Sequence, residues 1–237
     1  MTDPALELDR AREQAAAALR RLGHAVVGHE ADAALLLRIA ELADSTAAGV
    51  ETRTARSRPV EVMKRRLWEQ PPADGAPMSH FPECVVSGQA NPMGVGIHVR
   101  RDGEAAVAEF NLGPAFEGAP GRAHGGVVAA VFDDVMGYVL VVHRVPAFTG
   151  RLTVNYRAPV PLGVDLSVRA RLRNRSGRKL FMVAEMTHGD DVICDAEGLF
   201  IAIPPERLGL PPDAAEVAGA GRPNSSSGAL PPTAHER

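Results

Sequence analysis

Gly125-Gly-Val-Val-Ala-Ala-Val-Phe-Asp-Asp-Val-Met-Gly-Tyr-Val-Leu-Val-Val-His143 places apolar side chains on almost every face of a helix. A helix that is apolar nearly all round has to be buried nearly all round, so the surrounding chain must wrap it. The material for wrapping lies on both sides. Strand-like runs occur at 96–101 and 104–112 before the helix and at 149–157, 165–173, 179–187 and 192–203 after it. In 149–157 the polar residues Thr149, Arg151, Thr153, Asn155 and Arg157 alternate with Gly150, Leu152, Val154 and Tyr156. Period two predicts that the five polar residues share one face. Leu166, Val168, Ala170 and Leu172 repeat the alternation. Ser176-Gly177 and Gly189-Asp190-Asp191 supply turns, and consecutive strands joined by short turns predict an antiparallel sheet. The fold class is therefore α+β, a curved antiparallel sheet around one long central helix.

Outside this domain the 237-residue chain changes character. Residues 4–43 are rich in Ala and Leu at helical spacing and are interrupted near Gly23 and Gly28, predicting two helices with Asp32 or Asp44 at their ends. Residues 1–70 hold eleven Lys and Arg against eleven Asp and Glu, without the basic bias of a DNA-binding helix pair. Pro71-Pro72, Gly75 and Pro77 break the chain. The organisation predicted is an N-terminal helical extension and linker at 1–72, the main domain at 73–208 and a disordered tail at 209–237, which is rich in Pro, Ala, Gly and Ser. A net charge of −3 argues for neither a nucleic-acid partner nor an anionic membrane. Cys84 and Cys194 have no ligand or disulfide spacing, so no metal is predicted and a reducing, cytoplasmic setting fits. Neither a leader nor an uninterrupted apolar span of membrane length is read in the sequence, so no membrane insertion is expected.

Two features of the central helix carry chemistry. Gly125-Gly126, after His124, lets a ligand approach the free N–H groups of a helix start, where the helix dipole favours negative charge. Such amides can stabilise an oxyanion. Asp133 and Asp134 are carboxylates in an apolar helix, costly to bury without partners. Asp134 is expected to reach a basic partner or solvent. Asp133 follows Gly126 by seven residues, roughly 10 Å along the helix at about 1.5 Å per residue, too far for both to act on one carbonyl. Joint action then requires two subunits, which predicts a homodimer or a dimer of dimers with composite sites.

The stretch from Glu117 to Gly126, then Asp133, Thr149, Asn155-Tyr156-Arg157-Ala158-Pro159 and Gly177-Arg178-Lys179 resembles the PaaI-like hotdog thioesterases, including the THEM4 type. The resemblance covers residues 84–203. It implies a hotdog fold, acyl-CoA as substrate, no cofactor, and Asp133 as general base or nucleophile. It implies further that Gly125 or Gly126 donates to the oxyanion, that Thr149 orients water or the acid, and that Asn155, Arg157, Arg178 and Lys179 contact CoA. Arg suits bidentate phosphate contacts and Lys offers a point charge. Asn155 and Arg157 are expected to share a face with Thr149. His124 is read as fixing the loop by hydrogen bonding. Where the family carries Asn a few residues before that His, this sequence has Gly118 and Pro120. A hydratase would need a His close to the catalytic Asp, and none precedes His143. The alternative from a different class is a non-catalytic acyl or acyl-CoA binding module, against which a carboxylate retained in the apolar helix argues.

Overall fold

A computed structural model describes residues 3–57, 71–79 and 81–204. The expected tail at 209–237 and linker residues 58–70 lie outside the described residues. Two helices open the chain, α1 (Pro4–Gly28) and α2 (Ala33–Glu51). Asp3 starts α1 by accepting from the Ala5 N–H at 2.9 Å, and Asp32 starts α2 by accepting from the Leu35 N–H at 2.7 Å. Asp44 lies inside α2, and Gly23 inside α1, so neither marks a helix end. The alanine-rich neighbours of Gly23 carry the helix through it, and one Gly in a long helix costs only about 1 kcal/mol.

The remaining elements are β1 (Pro77–Met78), β2 (His98–Asp102), β3 (Ala105–Asn111), a 3-10 turn (Pro114–Phe116), and a small hairpin of β4 (Glu117–Ala119) and β5 (Arg122–Ala123). Then come α3 (Gly125–Val142), β6 (Ala147–Tyr156), β7 (Asp165–Ser176), β8 (Lys179–His188) and β9 (Asp191–Ala202). Seven strands form one sheet in the order β1-β2-β3-β7-β8-β9-β6, every pair antiparallel. Helix α3 packs against β2, β3, β6, β7, β8 and β9, so the sheet wraps the helix as the apolar pattern requires. This is the hotdog arrangement.

Ala106, Ala108, Ala170, Ala184 and Ala196 are buried on the inner face of the sheet. Their small side chains let α3 sit close, and Val128, Val131, Phe132, Val135, Met136 and Val139 fill the space fully buried. Each such side chain contributes about 1.5–3 kcal/mol by leaving water. At Gly198 the fit is tightest, since a Cβ there would lie 2.6 Å from the Met136 sulfur and 2.8 Å from the Phe200 ring. Helix α3 is long and apolar enough to cross a membrane by length and composition alone, but in this fold half of it is buried, with Val127, Ala129, Ala130 and Val141 left only partly covered, so burial within one chain falls short of the all-round burial expected.

One expectation about β6 is overturned. The register pairs Thr149 with Phe200 and Arg151 with Leu199, leaving Gly150 as a bulge. An extra residue breaks the two-residue period. Thr149 therefore faces inward toward α3, beside buried Phe200, whereas Thr153 and Asn155 pair with Glu197 and Asp195 on the outer face. Thr149 shares a face with neither Arg151 nor Asn155. Gly suits the bulge, because a Cβ there would stand 3.2 Å from Ile201 and 3.3 Å from the Leu199 carbonyl oxygen.

Candidate active site

His124 enters α3 with extended backbone, and its Nδ1 accepts the Gly126 N–H at 2.9 Å. The Tyr156 hydroxyl donates to the Gly125 carbonyl at 2.7 Å. The peptide between Gly125 and Gly126 is thus held from both ends, by one side chain on its N–H and another on its C=O. The sequence points to the Gly126 amide as the oxyanion donor, with Gly125 as the alternative, and the structure favours the alternative. The Gly126 N–H is engaged by His124, while no described residue accepts from the Gly125 N–H. His124 sits as a helix cap, its own backbone N–H donating to the Phe116 carbonyl at 2.8 Å. Gly118 packs so closely that a Cβ would lie 2.8 Å from the His124 Cα. A side chain at 118 would therefore require the backbone here to shift. Around the helix start lies a cleft of about 660 Å³ whose lining includes Arg122, His124, Gly125, Val128, Tyr156 and Arg157.

Asp133 stands two turns further along α3, about 12 Å from Gly125 at about 1.5 Å per residue. The Thr149 hydroxyl donates to its Oδ1 at 2.7 Å, which the bulge at Gly150 makes possible by turning Thr149 inward. Asp134 has no basic partner among the described residues and is only partly open to solvent. Its Oδ1 accepts from the Cys84 thiol at 3.1 Å. Beside it the Tyr138 hydroxyl donates to Ser87 at 2.9 Å, both buried. Burial drives the Asp134 carboxyl above its ordinary range, the hydrogen bonds of Ser87 and Cys84 oppose that, and the neighbouring Asp133 adds to it. Burial, reinforced by Asp134, raises the Cys84 thiol as well.

Asn155 and Arg157 are drawn together by a residue that the sequence reading missed. Asp195 of β9 accepts from Asn155 Nδ2 at 2.8 Å and from Arg157 Nε at 2.5 Å. The Asn155 hydrogen bond, followed by the hydrogen bond and the charge of Arg157, holds the Asp195 carboxyl below its ordinary range despite partial burial. Arg178 and Lys179 are elsewhere. Arg178 donates to the Ala202 carbonyl at 2.9 Å, and Lys179 pairs with Ile201, which pairs with Phe148 at the opposite end of β6. Seven residues of strand separate Phe148 from Asn155, about 23 Å at about 3.3 Å per residue. Within one chain, then, Asp133 and Thr149 lie toward the Arg178 and Lys179 end, and Gly125, Tyr156 and Arg157 toward the other. Tyr156 and Asp195 escaped the sequence because cross-strand register and helix-to-strand contacts, rather than local spacing, bring them to the site.

Residues 120–194 match the Thioesterase superfamily. The chain is 35% identical over 101 residues to acyl-coenzyme A thioesterase THEM4 of Xenopus laevis, covering 42% of this chain and 46% of that protein. With the THEM4 thioesterase of Bos taurus it is 32% identical over 113 residues, covering 47% and 46%. It spans about half the length of the curated relatives it matches. A solved thioesterase superfamily protein superposes with a TM-score of 0.69 over 80% of this chain and 90% of its own, at 24% identity, a likeness of fold. The wrapped helix and this likeness of fold agree on a hotdog domain, within which residues 120–194 are similar to the Thioesterase superfamily and to THEM4 thioesterases.

Proposed function

We propose that the protein hydrolyses acyl-CoA thioesters to a free acid and CoA. The observation that carries the reading is the pairing of Asp133 with the Thr149 hydroxyl at 2.7 Å, together with the open Gly125 N–H at the start of the same helix. A carboxylate oriented by a hydroxyl can take a proton from water or attack a carbonyl directly. A helix-start N–H can receive the developing oxyanion. In this reading oxygen adds to the thioester carbon as the carbon–sulfur bond breaks, and the CoA thiolate leaves with the proton that Asp133 has taken. In the nucleophilic variant the Asp133 oxygen adds first, and water then cleaves the anhydride.

The two groups are about 12 Å apart in one chain, so the site is completed by a second copy. Strand β6 ends the sheet with one edge unpaired among the described residues. Two-fold pairing of that edge with its copy is antiparallel by symmetry. It runs the Thr149 end of one chain alongside the Tyr156 end of the other, bringing Asp133 of one protomer toward the Gly125 cleft of its partner. Arg122 and Arg157 at that cleft suit the phosphates of CoA. The homodimer, or a dimer of dimers, and a cytoplasmic setting belong to the same reading.

The test is thiol release from short-, medium- and long-chain and arylacetyl CoA esters by wild type and Asp133→Asn. Turnover of at least one ester, with a loss of roughly 10² or more in the variant, is the expected result. Binding without thiol release by wild type would replace the enzyme with an acyl-CoA binding module.

A further inference from the structure

Helix α1 docks on the main domain through an unusual stripe. Ala16, Arg20, His24 and Gly28 recur every four residues and so lie along one face. Ala16 is buried, while most of the larger apolar residues of α1, Leu6, Leu8, Leu19 and Leu22 among them, are exposed. Arg20 Nη1 donates to the Asn91 and Gln89 carbonyls at 2.6 and 3.0 Å. Gly28 packs on Pro114, where a Cβ would come within 2.8 Å of the ring.

His24 makes the contact nearest the site. Its Nδ1 accepts the Ala115 N–H at 3.1 Å, and its ring meets Phe116 edge to face with centroids 5.1 Å apart. Gly113 leaves room for the ring, since a Cβ there would lie 2.6 Å from Nδ1. The Phe116 carbonyl then accepts the His124 N–H, and His124 Nδ1 accepts the Gly126 N–H. A continuous series of short contacts therefore runs from α1 to the peptide that opens α3.

We propose that α1 is a positioning element of the active site, and that His24 acts through residues 113–116 to set the backbone of His124 and the Gly125 N–H. This rests on the hydrolase reading for its effect on turnover, while the structural coupling is independent of it. His24 touches no reacting atom. Its role needs an acceptor at the Nδ1 position, which Asn supplies and Leu does not.

The experiment compares His24→Leu, His24→Asn and Gly113→Ala in the full-length protein. Steady-state thiol release is measured on an ester that wild type turns over, and amide hydrogen exchange is measured across residues 113–128. His24→Leu is expected to lose roughly 10- to 100-fold in kcat with KM nearly unchanged. His24→Asn recovers most of that rate, and Gly113→Ala, which crowds the ring from the other side, follows Leu. Exchange at 115 and 124–126 quickens in Leu and Gly113→Ala and returns toward wild type in Asn. Wild-type kcat in His24→Leu, or equal loss in Leu and Asn, overturns the proposal. Should wild type release no thiol from any ester, the hydrolase reading fails and exchange alone decides, with unchanged protection at 124–126 in His24→Leu overturning the coupling.

Discussion

Thr149→Val replaces a hydroxyl by a methyl of similar size and removes the 2.7 Å donor to Asp133. Hydrogen bonds to charged groups contribute about 1.5–3 kcal/mol. Thr149 is exposed in the single chain and Asp133 half-buried, so solvent brings the contribution to or just below the bottom of that range, about 1–2 kcal/mol, or a loss of about 5- to 30-fold in kcat. The same hydrogen bond is present in the resting fold, so folding stability is expected to fall by about 0.5–1.5 kcal/mol as well, which leaves the variant folded for the assay. The assay is steady-state thiol release paired with urea unfolding, for Thr149→Val, Thr149→Ser, Asp133→Asn and the Thr149→Val/Asp133→Asn double variant. Thr149→Ser keeps most of the rate. If Thr149 acts through Asp133, its removal costs nothing further once Asp133 is Asn, because coupled residues are non-additive. An unchanged kcat in Thr149→Val, or the full additional loss in the double variant, would refute the assignment.

Gly198→Ala is expected to lower the urea midpoint by about 1–3 kcal/mol of stability, since its Cβ would enter the Met136 sulfur and the Phe200 ring, both buried; wild-type stability would mean that α3 packs less closely on β9. Asp134→Asn keeps an oxygen acceptor for the Cys84 thiol and removes the charge that burial penalises. Because the folded carboxyl titrates above its ordinary 3.8, wild type forfeits stability as pH rises from about 4 through the folded value, and below 3.8 both states are protonated and the penalty vanishes. The variant should therefore have the higher urea midpoint at pH 7, the gap closing as pH falls toward 4, and a gap that widens on acidification would contradict the assignment.

How much of this was legible in the linear chain follows from the range of the forces involved. The composition of 125–143 alone requires burial on all sides, and the alternation and turn residues after it determine strand-forming segments, because hydrophobic periodicity and turn chemistry act over a few residues. The two N-terminal helices were legible for the same reason, with Asp32 as a cap. The candidate residues carried at the start and middle of one helix, His124, Gly125 and Asp133, stand out in the linear chain because a Gly pair at a helix start and a carboxylate in an apolar helix are local features. Tertiary structure decided the rest. The bulge at Gly150 turns Thr149 inward, and no local pattern distinguishes it from a regular strand, since only pairing with β9 reveals the extra residue. Asp134 has Cys84 as its partner fifty positions away, Asp195 gathers Asn155 and Arg157 across a strand pair, and His24 reaches Ala115 over ninety-one positions. Those contacts depend on register and packing, which close long loops and are set only when the whole sheet forms around its helix.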